Sequence, residues 1–98
     1  MIRGDLSRAV AEYLGHQGSR VSVRSVDAIL LAALDVITDQ LKQGERVELR
    51  GFGVFLTKRR ATRNFPNPMR RGARVTVAAH VAPRFKPSAR LRAAVNPE

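Results

Sequence analysis

From Gly51 to Pro97 the chain carries eleven Lys or Arg residues and not one Asp or Glu. In the middle of that stretch stands Arg63-Asn64-Phe65-Pro66-Asn67-Pro68-Met69-Arg70-Arg71-Gly72, a turn of Pro, Asn and Gly flanked by cations and tipped with apolar side chains. The chemistry open to such a set is non-covalent. Cations hold phosphates, and an apolar tip on a basic arm can also push between stacked bases. Ten of the twelve cations from Arg50 onward are Arg, the residue suited to bidentate phosphate contact and to narrow minor grooves. A run of charge can be no more than a solvated face. Here the acids are missing rather than outnumbered, so little self-neutralisation is available. Residues 1–50 hold seven basic and seven acidic side chains, net zero, and residues 51–98 hold eleven basic and one acidic, which gives the whole net charge of +10. The first half thus reads as an ordinary folding unit and the second as a polyanion-binding surface.

Other chemistry finds little support. The two histidines, His16 and His80, are far apart, and there is no Cys to complete a metal site or form a disulfide. Gly51-Phe52-Gly53 lies between two strand-like segments, so it is not a dinucleotide fingerprint, and no phosphate-binding loop or serine elbow occurs. The expectation is a protein that is not an enzyme, with no catalytic residues, metal, cofactor or small-molecule substrate. No run approaches the roughly 18 apolar residues of a membrane span, and the expected location is cytoplasmic.

Behind the basic half, the pattern supplies its supports. Leu6, Ala9, Val10, Tyr13 and Leu14 repeat at helical spacing, which predicts a helix over 5–14 closed by Gly15. Ser22 is a good cap for a second helix running to about Gln43 and ended by Gly44. Its stripe of Val26, Ile29, Leu30, Ala33, Leu34, Ile37 and Leu41 is widened by Leu31, Ala32 and Val36. So wide an apolar surface exceeds what this short chain can cover, and predicts a dimer interface. Arg46 to Arg50 alternates as a strand, with Arg46, Glu48 and Arg50 on its outer face. A turn at Gly51-Phe52-Gly53 leads into a strand over Val54–Arg60. Lys58–Arg63 and Arg70–Arg74 flank the tip and hold too few apolar residues for a core, so they read as a solvated two-stranded arm, with Arg74–Val77 as the return. Pro83 and Pro87 bracket Phe85, and Ser88–Val95 reads as a short terminal helix. One domain is expected over 1–98: a helical dimerisation half at 1–44, sheet and arm at 45–87 with the tip at about 64–72, and a helix and tail at 88–98.

In this order Gly51-Phe52-Gly53-Val54-Phe55, Arg60-Ala61-Thr62-Arg63, Asn67-Pro68 before Gly72, and Phe85-Lys86-Pro87 run through most of the second half of the chain. Together they make it resemble the bacterial HU and integration host factor family of DNA-bending proteins, whose members are standard examples of minor-groove architectural binders. The resemblance implies an α+β fold: an interlocked obligate dimer with a helical N-terminal half, a short antiparallel sheet, two protruding β-ribbon arms and a short C-terminal helix. It implies double-stranded DNA as partner, minor-groove binding with bending, and a place in the bacterial nucleoid. Services to chromosome condensation, recombination or transcription follow from that role. Pro68 matches the proline that wedges between base pairs, with Phe65 and Met69 as further insertion candidates beside it. Arg60, Arg63 and Arg74 match arm or saddle cations, and Lys86 a cation that holds the DNA flanks. Lys58, Asn67, Arg70, Arg71 and Arg84 complete the expected DNA-binding set.

The segment Gly44 to Gly53 is similar to the β-type subunit of integration host factor. There the residues matching Glu48 and Arg50 cooperate, the acid orienting the arginine toward the minor groove at a preferred sequence. An exposed ion pair of little consequence is the alternative at these two positions. HU-like binding without sequence preference is the alternative for the whole chain, and structured RNA a more distant one. Homodimer and heterodimer with an α-type subunit both remain open. The chain departs from the family in a longer connector around Gly15–Ser19, a longer arm near Met69–Gly72, and Phe65-Pro66 where the family usually has Arg before the Asn-Pro pair.

Overall fold

The computed structural model describes residues 1–97; Glu98, the end of the expected tail, lies outside the described residues. The fold is α+β, with helices α1 (Arg3–His16), α2 (Val23–Lys42) and α3 (Ala89–Val95) and strands β1 (Val47–Leu49), β2 (Gly53–Arg60), β3 (Arg63–Pro66), β4 (Arg74–Val77) and β5 (His80–Pro87). The chain forms two compact units, one up to Asp39 and one from Gln40 onward.

In the first unit, α1 begins without a side-chain oxygen at its cap, because residue 2 is Ile. Asp5 supplies half of a capping box instead, its carboxylate accepting from the Ile2 N–H at 2.9 Å. Arg8 donates to the other oxygen of Asp5 at 2.9 Å. These contacts, the Ile2 bond first, hold the Asp5 carboxyl below the usual carboxylate range. The helix does not stop at Gly15 as expected. It runs to His16, and Gly18, with φ +85°, takes the left-handed position instead. Ser19 N–H then bonds the Leu14 carbonyl and Gly18 N–H the Gly15 carbonyl, a Schellman ending. Helix α2 ends in the same way at Gly44, and starts where the sequence places it: Ser22 Oγ accepts from the Ser25 N–H at 3.0 Å.

Helices α1 and α2 are joined by a partly buried polar contact. Ser7, completely buried, donates to Asp27 Oδ1 at 2.8 Å, and Arg3 Nε donates to the same oxygen at 3.0 Å. Both bonds, Ser7 first, lower the Asp27 pKa. Val26 is the one buried large hydrophobic residue among those described. Ile29, Leu34 and Val36 stay 65, 47 and 60% exposed. Val10, Leu14, Val21, Val26, Ile29, Leu30 and Ala33 line an open apolar groove of about 300 Å³. The unit has the surface of a core without the cover.

In the second unit, β1, β2 and β5 form an antiparallel sheet with β2 in the middle, and β3 and β4 form a separate two-stranded ribbon. Strand β5 contains Pro83, which the sequence pattern presents as a bracket rather than as part of a strand. It is tolerated because β5 is an edge, where no ladder partner needs its missing N–H. The arm also begins later than expected. Lys58–Arg60 belong to the three-stranded sheet, paired with Ala82, Val81 and His80. The ribbon proper is Arg63–Pro66 against Arg74–Val77, and the turn is 67–73 rather than 64–72. The reason is cross-strand pairing: Phe65 lies opposite Val75, and that apolar pair holds two strands that composition alone leaves unsupported. Ser88 caps α3 and anchors it. Its Oγ accepts from Leu91 N–H at 3.0 Å and donates to the Gly51 carbonyl at 2.8 Å, while its N–H bonds the Phe52 carbonyl at 2.9 Å.

Candidate nucleic-acid interface

Strand pairing sorts the second unit into two faces. Residues directly opposite across a ladder share a face, and the face alternates along each strand. The register Val54↔Lys86, Leu56↔Arg84, Lys58↔Ala82 and Arg60↔His80 therefore gathers Lys58, Arg60, Arg84 and Lys86 on one side. Glu48, opposite Val54, joins them. The intervening pairs, Phe55↔Phe85 and Thr57↔Pro83, make the other side apolar. There the Phe85 ring lies 4.9 Å from Phe55 and 5.4 Å from Phe52, centroid to centroid. Arg59, opposite Val81, sits on the apolar side, apart from its neighbours Lys58 and Arg60.

Two shallow grooves mark the cationic side. One, of about 410 Å³, is lined by Leu56, Thr57, Lys58, Arg84 and Lys86 among others. The second, of about 270 Å³, brings Arg46, Glu48 and Arg50 together with Lys86 around the Gly51 turn. Strand β1 stops at Leu49, so Arg50 lies in the turn rather than on the strand that the alternation predicts for it. Among the described residues Glu48 and Arg50 form no ion pair with each other, unlike Asp27 with Arg3 and Asp5 with Arg8. The Glu48 and Arg50 side chains both border the groove.

Beyond the sheet the ribbon carries Arg63 and Arg74, and the tip is built by two successive turns. Arg70 N–H bonds the Asn67 carbonyl at 3.3 Å with Pro68 second in the turn, the position its fixed φ suits. Ala73 N–H bonds the Arg70 carbonyl at 3.2 Å, with Gly72 third at φ +82°. The Asn67 side chain stiffens the first turn by accepting from Met69 N–H at 2.9 Å. Pro68, Arg70 and Arg71 are all exposed, and Met69 is 90% exposed. Phe65 is set back from the tip. It stands in β3, 36% exposed, with the Arg63 guanidinium 5.9 Å from its ring centroid.

Over residues 1–96 the chain matches the model of the family described as bacterial DNA-binding protein. The chain belongs to that family. Its fold is similar to that of Anabaena HU in an HU–DNA cocrystal structure, with 33% identity, full coverage of both chains and a TM-score of 0.85. It is also similar to a mutant HU from Thermotoga maritima, at 27% identity over 97% of this chain and 99% of that one, with a TM-score of 0.65.

Within this family member the expected residues fall into three groups. Lys58, Arg60, Arg84 and Lys86 share the sheet face, with Glu48 and Arg50 at its β1 end. Arg63 and Arg74 sit on the ribbon, and Asn67, Pro68, Arg70 and Arg71 form the tip with Met69. Arg46 lines the same groove as Arg50 but is absent from the expected set, although the alternation of Arg46, Glu48 and Arg50 already puts the three on one face. Asn64 and Thr76 are absent from it as well. Their polar side chains meet across the ribbon only because of its register, which composition does not reveal. Among the described residues no cluster of three metal-ligating side chains occurs, and no helix is long and apolar enough to cross a membrane.

Proposed function

We propose that this chain is an architectural protein of the bacterial nucleoid, which binds double-stranded DNA as a dimer and bends it. The observation that carries this reading is the sheet face that collects Lys58, Arg60, Arg84 and Lys86 and leads toward an arm with exposed Pro68, Met69, Arg70 and Arg71. Family membership supports it, as does likeness to an HU chain crystallised with DNA. The sheet face and arm hold phosphates, releasing counterions. Pro68, with Met69 beside it, enters a base step in the minor groove and unstacks it. That costs a few kcal/mol, offset by contacts between bent DNA and the cations of the sheet. Phe65, held in the ribbon under Arg63, is a less suitable wedge.

The uncovered groove of the first unit and the open Phe52 and Phe85 rings support a dimer, because each exposes apolar surface that a second subunit would remove from water. A second copy suffices for this; an α-type partner subunit would serve equally. The test of the wedge is Pro68→Ala. It removes the ring and leaves every cation, so bending should fall more than affinity. Energy transfer across a short end-labelled duplex reads the bend angle, and an unchanged angle contradicts the wedge.

A preference for particular sequences is a second element of the proposal, favoured by Glu48 and Arg50 flanking one groove. An acid on a DNA-facing surface is costly unless it directs a cation. Arg50→Ala should then reduce discrimination between preferred and random duplexes. Equal loss on both supports HU-like binding without preference. Competition with double-stranded RNA separates DNA from RNA as the natural partner.

A further inference from the structure

The ribbon has two unlike sides. Arg63, Phe65, Val75 and Val77 share one, and Asn64, Pro66, Arg74 and Thr76 share the other. On the second side a single amide organises the surface. Asn64 Oδ1 accepts from Arg74 Nε, the Asn64 backbone carbonyl lies 3.4 Å from Arg74 Nη2, and Asn64 Nδ2 donates to Thr76 Oγ1 at 3.2 Å. The amide therefore uses both ends, which fixes its orientation. Asn64 lies directly opposite Thr76, and Arg74 is its diagonal neighbour. On the first side Arg63 is turned over the Phe65 ring instead.

We infer that Asn64 is a positioning residue that holds the Arg74 guanidinium ready for DNA, making the Asn64–Arg74–Thr76 side the one that reads the minor groove. This rests on the proposed DNA-binding function. The physical case is one of preorganisation. A free arginine on a solvated ribbon samples many rotamers, and ordering it on binding opposes affinity. Clasped by Asn64 through Nε and one terminal nitrogen, Arg74 is already ordered, and its other N–H groups remain for phosphate or base acceptors. A positioned arginine favours the narrow, strongly negative groove of A·T-rich DNA. Asn64 carries no charge, so its effect is separable from loss of a cation.

The experiment measures affinity of the full chain for two short duplexes of equal length, one with a central A-tract and one G·C-rich. The variants are Asn64→Ala, Arg74→Ala, the double variant, and Thr76→Val, which removes the amide's far anchor. Asn64→Ala is expected to weaken A-tract binding roughly three- to tenfold, the range of one or two hydrogen bonds, with a smaller loss on the G·C duplex. It should add nothing in the Arg74→Ala background, and Thr76→Val should show a weaker form of the same selective loss. Unchanged A-tract affinity, equal losses on both duplexes, or losses that add in the double variant overturn the positioning role. A parent chain that binds neither duplex overturns the DNA-binding function beneath it, a different result from a parent that binds while Asn64→Ala behaves like it.

Discussion

Gly53→Ala probes the packing that fixes the cationic sheet face. A methyl group at residue 53 would stand 2.5 Å from both Cε1 and Cζ of Phe85 and 2.7 Å from the Lys86 carbonyl oxygen. Carbon atoms attract only from about 3.5–4.0 Å outward. The ring could yield only by leaving Phe55 and Phe52, its neighbours at 4.9 and 5.4 Å. The carbonyl is backbone of β5, held in register opposite Val54, and it has less room to move. Overpacking of this kind costs about 1–3 kcal/mol. At roughly 4–8 °C per kcal/mol for a domain of this size, a cost of about 2 kcal/mol lowers Tm by about 8–16 °C. Far-ultraviolet circular dichroism at one fixed protein concentration reads the change, since melting of a dimer depends on concentration. Gly4→Ala is the matched control. It lies in the first turn of α1 with nothing within 4 Å of the added carbon, and replacing Gly by Ala there gains at most about the 0.5–1 kcal/mol of a helix interior. The two substitutions should thus shift Tm in opposite directions. A Gly53→Ala chain that melts with the parent refutes the close approach of β5 to residue 53.

Three further outcomes are expected. Ser22→Ala removes the oxygen that accepts from Ser25 N–H, and should cost about 1 kcal/mol in thermal unfolding. The Asp5 and Asp27 carboxyls are held below their ordinary range. A depressed folded pKa gives stability that is present above the unfolded value near 3.9 and is lost as pH falls below it. Melting temperature should therefore fall below about pH 4, and Asp27→Asn should flatten that fall while lowering Tm at neutral pH; an unaltered acid limb would disprove the Ser7–Asp27–Arg3 linkage. Replacing Arg70 and Arg71 together by Ala should reduce the slope of log affinity against log salt by roughly 0.9 for each phosphate that is no longer neutralised, with little change in Tm because both are exposed in the tip turn.

What the sequence makes legible is whatever depends on short-range rules. Ser22 and Gly44 bound α2 because capping chemistry is local. The alternation from Arg46 to Arg50 places Glu48 correctly and puts Arg50 on the right side, though one residue past the strand. The connector is harder. Gly15 and Gly18 both suit a helix end, and only the bonds that the longer helix can make decide for Gly18. Strand β5 escapes a sequence reading because Pro83 argues against a strand, and whether a proline is tolerated depends on edge position, a property of the whole sheet. Phe65 reads as part of the tip because it is adjacent to it in sequence. Its pairing with Val75 fixes it in the ribbon, and pairing register is a long-range fact.

Register also couples the two properties proposed for this protein. The ladder that places Lys86 opposite Val54 and Arg84 opposite Leu56 necessarily places Phe85 opposite Phe55 on the reverse face. A sheet so arranged cannot present its cations without also presenting its rings. In a single chain Phe52 and Phe85 remain 47 and 39% exposed, so the reverse face stays wet unless a partner covers it. Burying apolar area yields about 25 cal/mol per Å², so covering these rings would add to what the β2–β5 ladder does to hold the strands in register. Association should therefore reinforce the face proposed to bind DNA, rather than be a separate event that doubles it. A one-residue slip of β5 would exchange the faces and lose both at once. On this view a substitution on the apolar face, such as Phe85→Ala, lowers DNA affinity without touching a cation, and the loss shrinks as protein concentration rises and restores the dimer. A loss independent of concentration would separate the two properties and break the argument.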